Sequence, residues 1–299
     1  MDEALAFIQQ DDVFSAMASL FGHLARVRAN ATPSEWRRFA QTGAMDHPIR
    51  SVAHLCPMTR RSFDKPRGYA GDAVMLDHIY GKEHPGPDYH PATVAGKVYA
   101  HTVNAPASRA VRHRREVLAR LIDETANRCG DSNARIFSIA AGHLREAELS
   151  LAVQTRKLAE FDAMDQDRES LQIIERDYTR YGVRPQYGTV RGLLRNKTPA
   201  GHYDLVYAAG LFDYLEERVA RKLVEVMLGM LRPKGKLLIA NFARNIPDVG
   251  YMETFMDWWL IYRDSEEVRK LFPEPLQTSQ QLRLFTDPGE NIIFAEFTG

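Results

Sequence analysis

The sequence predicts an α/β fold: a doubly wound parallel sheet whose last strand is antiparallel, behind an N-terminal helical cap. Three observations predict it. From Ala134 to Phe242 short apolar runs alternate with helical patterns, the rhythm of parallel strands joined by right-handed crossovers. Near the end, two strand candidates at 282–285 and 292–297 are joined across Asp287-Pro-Gly-Glu290, a hairpin signal. Before residue 106 only helix and loop signals occur. The chain of 299 residues therefore reads as a cap over 1–105 and a sheet domain over 106–299. In such sheets ligands bind beyond the carboxyl ends of the strands, where strand order reverses.

In the cap, Leu5, Ile8, Val13, Met17, Leu20, Phe21 and Leu24 recur at helical spacing, predicting one amphipathic helix over 2–29. Thr32-Pro-Ser-Glu35 has the form of a capping box with proline at the first helical position, so a second helix is expected through Trp36 and Phe39. A third is expected over 47–55. Phe63-Asp-Lys-Pro-Arg-Gly-Tyr-Ala-Gly-Asp72 is too rich in glycine and proline for regular structure. Asp72 can cap the helix that follows it, and Arg67 and Tyr69 make the loop rich in functional side chains. Residues 81–91 read as loop and 92–102 as helix.

A long helix is expected from Pro106 to about Cys129, its polar face carrying Arg109, Arg112, His113, Arg114 and Arg115. A charge run is usually a solvated face, yet one of these arginines could reach a ligand carboxylate. The stretch around which the sheet is organised is Ala134-Arg-Ile-Phe-Ser-Ile-Ala-Ala-Gly-His-Leu-Arg-Glu146. It reads as a buried strand, a small turn at Gly142 and a helix over 144–155 that opens at about His143 with free N–H groups facing the turn. Strands at 158–164, 184–188, 203–208 and 236–242 follow, with helices at 168–181, 190–195 and 216–231 between them. Tyr251-Met-Glu-Thr-Phe-Met-Asp-Trp-Trp-Leu-Ile-Tyr-Arg263 is expected to be helical.

Composition excludes several classes. Lys plus Arg equals Asp plus Glu at 39 each, and so balanced a chain is not built for general binding to nucleic acid or anionic membrane. Cys56 and Cys129 lack metal-ligand spacing, so no metal site and no disulfide framework are expected. The acidic start Met1-Asp-Glu-Ala lacks a signal peptide's basic region, and no apolar run has membrane-spanning length. The expectation is a cytoplasmic monomer or homodimer with a small-molecule substrate.

Residues 106–299 resemble class I S-adenosylmethionine (SAM) dependent methyltransferases. Where that family carries three glycines after the first strand, this chain has Ala140, Gly142 and Leu144. The acid closing the second strand is present in Phe161-Asp-Ala-Met-Asp-Gln-Asp167. Tyr203-Asp-Leu-Val-Tyr-Ala-Ala-Gly-Leu-Phe-Asp-Tyr-Leu215 and Leu231-Arg-Pro-Lys-Gly-Lys-Leu-Leu-Ile-Ala-Asn-Phe242 match the fourth strand and the turn into the fifth. Lys65–Asp72, Gly210–Leu215 and Met252–Arg263 are similar to a bacterial subgroup named for 3-hydroxy fatty acid methyl ester biosynthesis. Related sequences also occur in natural-product clusters.

The resemblance implies SAM as cofactor. Asp165, with Gln166 beside it, would take the ribose hydroxyls, and Thr189 and Val190 would flank adenine. Ala140, Gly142, Ala209 and Gly210 would shape the floor, and Arg114 or Arg67 would pair with the cofactor's carboxylate. Tyr69, Tyr214, Asn241, Glu253 and Tyr262 are the candidates on the substrate side, and the N-terminal helices would form a lid. The implied activity is methyl transfer to a small molecule, a carboxylate being one acceptor class that needs no general base. Two alternatives stand beside it. One is a cyclase that closes SAM's own aminobutyryl chain into azetidine-2-carboxylate, releasing methylthioadenosine. The other is a SAM-binding protein without catalysis. A nicotinamide-dependent dehydrogenase would need the GxGxxG turn, which this chain lacks.

Overall fold

Seven strands carry the second half of the chain in the computed structural model, which describes residues 1–83, 86, 89–130, 133–195 and 200–299. They are β1 (Ala134–Ile139), β2 (Leu158–Asp165), β3 (Val183–Tyr187), β4 (Tyr203–Ala208), β5 (Leu231–Phe242), β6 (Leu282–Thr286) and β7 (Ile292–Thr298). Their order in the sheet is β3-β2-β1-β4-β5-β7-β6. The first five pair in parallel, and β7 runs antiparallel to both β5 and β6. The predicted doubly wound sheet, with its antiparallel last strand, is what forms. The order reverses between β1 and β4, so the crevice lies at their carboxyl ends.

Burial explains the strands. Every residue of β4 is buried, as a parallel strand covered on both faces requires. The helix Glu217–Gly229 buries Ala220, Leu223, Val224 and Met227, a stripe at helical spacing, against Val206, Leu237 and Ile239.

The chain divides into two compact units. The first comprises Met1–Arg112 and Asn245–Trp259, the second His113–Arg244 and Leu260–Gly299. The first is helical. Its helix Val249–Phe255 lies close to Val13–Asn30: a Cβ on Gly250 would stand 2.9 Å from the Leu24 Cβ, and Phe21 stacks on Tyr251 at 4.4 Å. The predicted capping box of Thr32 and Glu35 is in place, and Asp72 caps Ala73–Ile79 through the Met75 N–H.

Several predicted elements differ. The helix expected over 2–29 is two helices, Asp2–Gln9 and Val13–Asn30, because Asp11 is left-handed (φ 57°) and Asp12 starts a new helix by accepting from the Ser15 N–H. The helix expected over 144–155 does not form. Leu144 is left-handed (φ 51°), a 3₁₀ turn covers Arg145–Glu148, and Ser150 restarts the chain as cap of the short helix Leu151–Gln154. The helix N-terminus expected at His143, facing the turn at Gly142, is thus replaced by this 3₁₀ turn. The helix expected through Arg263 stops at Phe255, since left-handed Asp257 (φ 44°) cannot continue it. Residues 84, 85, 87 and 88 of the loop expected over 81–91 lie outside the described residues. Among the described residues no helix is long and apolar enough to cross a membrane.

Candidate functional site

The turn after β1 is built from backbone conformation. Ala140, Gly142 and Leu144 have φ of 54°, 55° and 51°, so all three positions where the resembled family carries glycine are left-handed here. Glycine enters that region freely, whereas a residue with a Cβ meets its own carbonyl there, at about 1–2 kcal/mol. Ala140 and Leu144 bear that strain and still hold the turn's shape. The Ala141 N–H donates to the Met164 carbonyl (3.0 Å), fastening the turn to the end of β2.

Asp165 closes β2 and is buried. Its Oδ2 accepts from the Gly142 N–H (2.8 Å) and its Oδ1 from the Asp167 N–H (2.8 Å). Burial raises its pKa above the ordinary carboxylate value, and the backbone donors partly offset this. The cap of the next helix is Asp167, which accepts from the Glu169 N–H (3.0 Å) and the Ser170 hydroxyl (2.7 Å). Asp165 is thus not spent as a cap, and its two oxygens keep lone pairs for further donors. Gln166 beside it is exposed.

At the end of β3 the Thr189 hydroxyl caps the helix Val190–Arg195 through the Gly192 N–H (3.0 Å). Thr189 also lines a cavity of about 410 Å³ with Phe137, Met164, Tyr187, Leu193 and Tyr203. Val190 opens the short helix and is half-buried.

Beyond β4 and β5 the site is built from buried charge. Arg114 is 5 % exposed, and its guanidinium makes no hydrogen bond or ion pair with any described residue. A Cβ at Gly210 would lie 3.6 Å from its Nη2, so the absence of a side chain there leaves room beside the cation. Asp213, three residues on, is 2 % exposed and accepts from the Phe242 N–H (2.6 Å). Burial pushes its pKa up to about 6 against the pull of Arg114 and Arg263. Arg263, also buried, donates to the Phe212 carbonyl (2.8 Å), the Leu215 carbonyl (2.5 Å) and Asn241 Oδ1 (2.6 Å). Glu146 is buried, accepts from the Tyr207 hydroxyl (2.7 Å), and has its pKa raised by burial.

These contacts sort the candidate residues. Ala140, Gly142 and Asp165 come together around one turn, and Arg114 and Gly210 around another, with Ala209 preceding Gly210. Asn241 lies in the second group as a brace: its amide donates to the Ile261 carbonyl (2.9 Å) while its oxygen holds Arg263. Tyr262 sits between those two held residues with its hydroxyl buried, and Tyr214 ends the 3₁₀ turn Phe212–Tyr214 at 40 % exposure.

Arg67, Tyr69 and Glu253 belong to the first unit. Arg67 and Tyr69 occupy the loop after the helix Pro57–Asp64, flanked by the Arg61–Asp72 ion pair (2.8 Å) and by the pairing of Lys65 with Asp257. Glu253 is occupied inside that unit: Arg28 donates to both its oxygens (2.7 and 3.1 Å) and the Trp36 indole to one (2.6 Å). Sequence reasoning missed Glu146, Tyr207, Asp213 and Arg263. The available signal was an ionisable residue set among apolar neighbours, as Asp213 stands among Leu211, Phe212, Tyr214 and Leu215.

No protein-family model matches the sequence, and no curated protein matches it. Solved structures do. A possible exported protein from Bordetella parapertussis matches over 89 % of this chain and 98 % of its own, at 15 % identity and a TM-score of 0.56. A Nostoc punctiforme protein whose name carries a provisional O-methyltransferase assignment matches over 84 % and 71 %, at 15 % identity and 0.49. The N-methyltransferase NodS from Bradyrhizobium japonicum, bound to S-adenosyl-L-homocysteine, matches over 66 % and 89 %, at 15 % identity and 0.43. At such identity the first likeness concerns the fold alone, and the other two, at lower TM-scores, add nothing to it.

Proposed function

We propose that this chain is a SAM-dependent methyltransferase acting on a small molecule, with a carboxylate as the first acceptor class to test. The observation that carries the reading is the turn after β1. Three alternate residues, two of them not glycine, are held left-handed, with the Gly142 N–H on the acid that closes β2. Left-handed non-glycine residues occur elsewhere in the chain, at Asp11 and Asp257 among others, but here two fall within five residues beside the acid that closes β2, and residues held in sparsely populated backbone regions cluster at functional sites. The donor set suits the cofactor. Asp165 has lone pairs for two ribose hydroxyls, and Arg114 is a buried cation with no hydrogen bond or ion pair among the described residues, suited to a carboxylate.

The cofactor supplies a methyl group already activated on a sulfonium, so the protein's task is alignment. Asp165 and Arg114 would fix the two ends of the bound molecule, while Ala209 and Gly210 leave the backbone open to it. Asn241 and Arg263 hold the segment that carries Tyr262, which with Tyr214 would orient the acceptor. The reading gives residues 1–105 the part of a helical cap and 106–299 that of the cofactor-binding domain.

The test is mass spectrometry of small molecules after incubation with SAM, alone and with a panel of carboxylates. Acceptor-dependent S-adenosylhomocysteine is the expected result. Methylthioadenosine with a four-carbon amino acid, formed from SAM alone, would replace the reading with the cyclase. SAM binding with no product from any acceptor would leave a binding protein.

A further inference from the structure

Lys97, Ala100, His101 and Asn104 recur at spacings of three and four, so they share one face of the helix Val94–Val103 and its C-cap. That face lines a cavity of about 570 Å³ together with Phe14 from the helix Val13–Asn30 and Arg109 from the first turn of the helix Pro106–Cys129. All of these residues belong to the first unit. The volume is that of a small-molecule site, which spans roughly 300–1,000 Å³. Alanine at 100 and 105 leaves the space open, while Pro91, Pro106, Phe14 and His101 give it ring-bearing walls.

The lining holds two cations and, among the described residues, no acid. Lys97 is committed, since its Nζ donates to Asp11 (3.0 Å). Arg109 gives one N–H to the Asn104 carbonyl, and its other N–H groups have no hydrogen bond or ion pair among the described residues. The acid that feels Arg109 is Asp248, which is buried and held by the Ala107 N–H (3.1 Å). His101 stands edge-on to Phe14 (5.9 Å) and to Phe21 (5.0 Å). Burial lowers its pKa, so its ring is neutral at pH 7, and neither ring nitrogen has a hydrogen bond among the described residues. Phe14 is 76 % exposed, the most exposed large apolar side chain among the described residues. An exposed aromatic ring at the rim of an apolar cavity gains by being covered.

We propose that this cavity is a binding site for an aromatic carboxylate. Arg109 receives the carboxylate, because a guanidinium with uncommitted N–H groups matches its two oxygens. The flat ring lies against Phe14 and His101, where stacked and edge-on contacts are both available. The Lys97–Asp11 pair is neutral as a unit, so the preference for an anion falls to Arg109. His101 adds a neutral hydrogen-bonding group for a polar ring substituent. The proposal concerns the first unit alone and does not rest on the methyltransferase reading.

Calorimetric titration of the full chain with naphthoate, beside its neutral analogue naphthalenemethanol, tests this at low ionic strength. The expected result is a single naphthoate site with Kd below about 1 mM. The alcohol should bind about tenfold more weakly. Arg109→Gln should bring the two ligands level. Ala100→Trp fills the cavity from an exposed helix position and should abolish naphthoate binding, with circular dichroism and Tm showing that the variant is folded. No naphthoate binding by the native chain would overturn the proposal, as would equal affinity for the alcohol. Binding that persists unchanged in folded Ala100→Trp would place naphthoate elsewhere and overturn it as well. The comparison of the two ligands needs no variant, so a failure of either substitution to fold does not shelter the proposal. None of these failures touches the methyltransferase reading, whose own test is product formation from SAM.

Discussion

The carboxyl ends of β1 and β2 and those of β4 and β5 belong to one sheet, yet they are constructed by opposite means. The first region is made of backbone: left-handed residues at 140, 142 and 144, and a carboxylate that accepts two N–H groups. The second is made of side chains: Arg114, Asp213, Arg263 and Asn241, buried and gathered from four stretches of chain. A backbone device bears its cost in conformational strain, which is small and local. A side-chain device bears it in desolvation, which is larger and depends on every member being present.

That difference can be broken by experiment, and the largest effect belongs to the second region. Arg263→Ala removes the donor to two carbonyls and to Asn241 and leaves those acceptors buried. We expect a loss of about 3–5 kcal/mol, measured by urea unfolding, with Arg263→Lys intermediate. A loss below about 1 kcal/mol would mean that the buried charges are not interdependent.

Next is the pH response. The Asp213 pKa, at about 6, is raised above the ordinary 3.8, so the folded chain binds this proton more tightly than the unfolded one. Its contribution to stability is therefore complete below about pH 4 and is lost as pH rises through 6. Relative to Asp213→Asn, the native chain should lose up to about 3 kcal/mol between pH 4 and 7. Asp248 supplies an independent case inside the first unit. It accepts from the Ala107 N–H (3.1 Å), and its pKa is likewise pushed up to about 6 by burial. Asp248→Asn should flatten the same window. A native stability curve parallel to that of each variant would refute the corresponding assignment.

The first region should yield smaller numbers. Asp165→Ala is expected to weaken SAM binding about tenfold or more, read by calorimetry, since the proposed ribose contact and the Gly142 tether would go together. Undiminished affinity would remove Asp165 from the ribose role. Ala140→Gly relieves one left-handed strain at the expense of unfolded-state freedom, and should stabilise by about 1 kcal/mol or less in thermal unfolding. A clear destabilisation would show that the alanine methyl contributes packing that outweighs its strain.

The same contrast explains what could be read in advance. The alternation of strands and helices, the antiparallel β7, the capping box at Thr32 and the acid closing β2 were legible, because each is written in a few neighbouring residues. The helix expected from His143 was not found, because Leu144 has the composition of a helix residue and the conformation of a turn. The tract 251–263 has helical spacing throughout, but the chain turns at Asp257 and is then held by Asn241 and Arg263, contacts that spacing cannot encode. Glu253 stood among the substrate-side candidates, and its partners Arg28 and Trp36 lie more than 200 positions earlier in the chain. Assemblies of distant residues become visible only when the chain has folded.

The left-handed turn at 140–144 has a consequence for how such proteins drift. If the requirement lies in the φ angles, glycine is only its least costly solution, and alanine or leucine satisfies it where neighbouring contacts absorb the penalty. A lineage can then shed the letters of the motif one at a time while the loop keeps its shape. Templates that count glycines grow blind to such descendants, and a search phrased in backbone angles would still recover them.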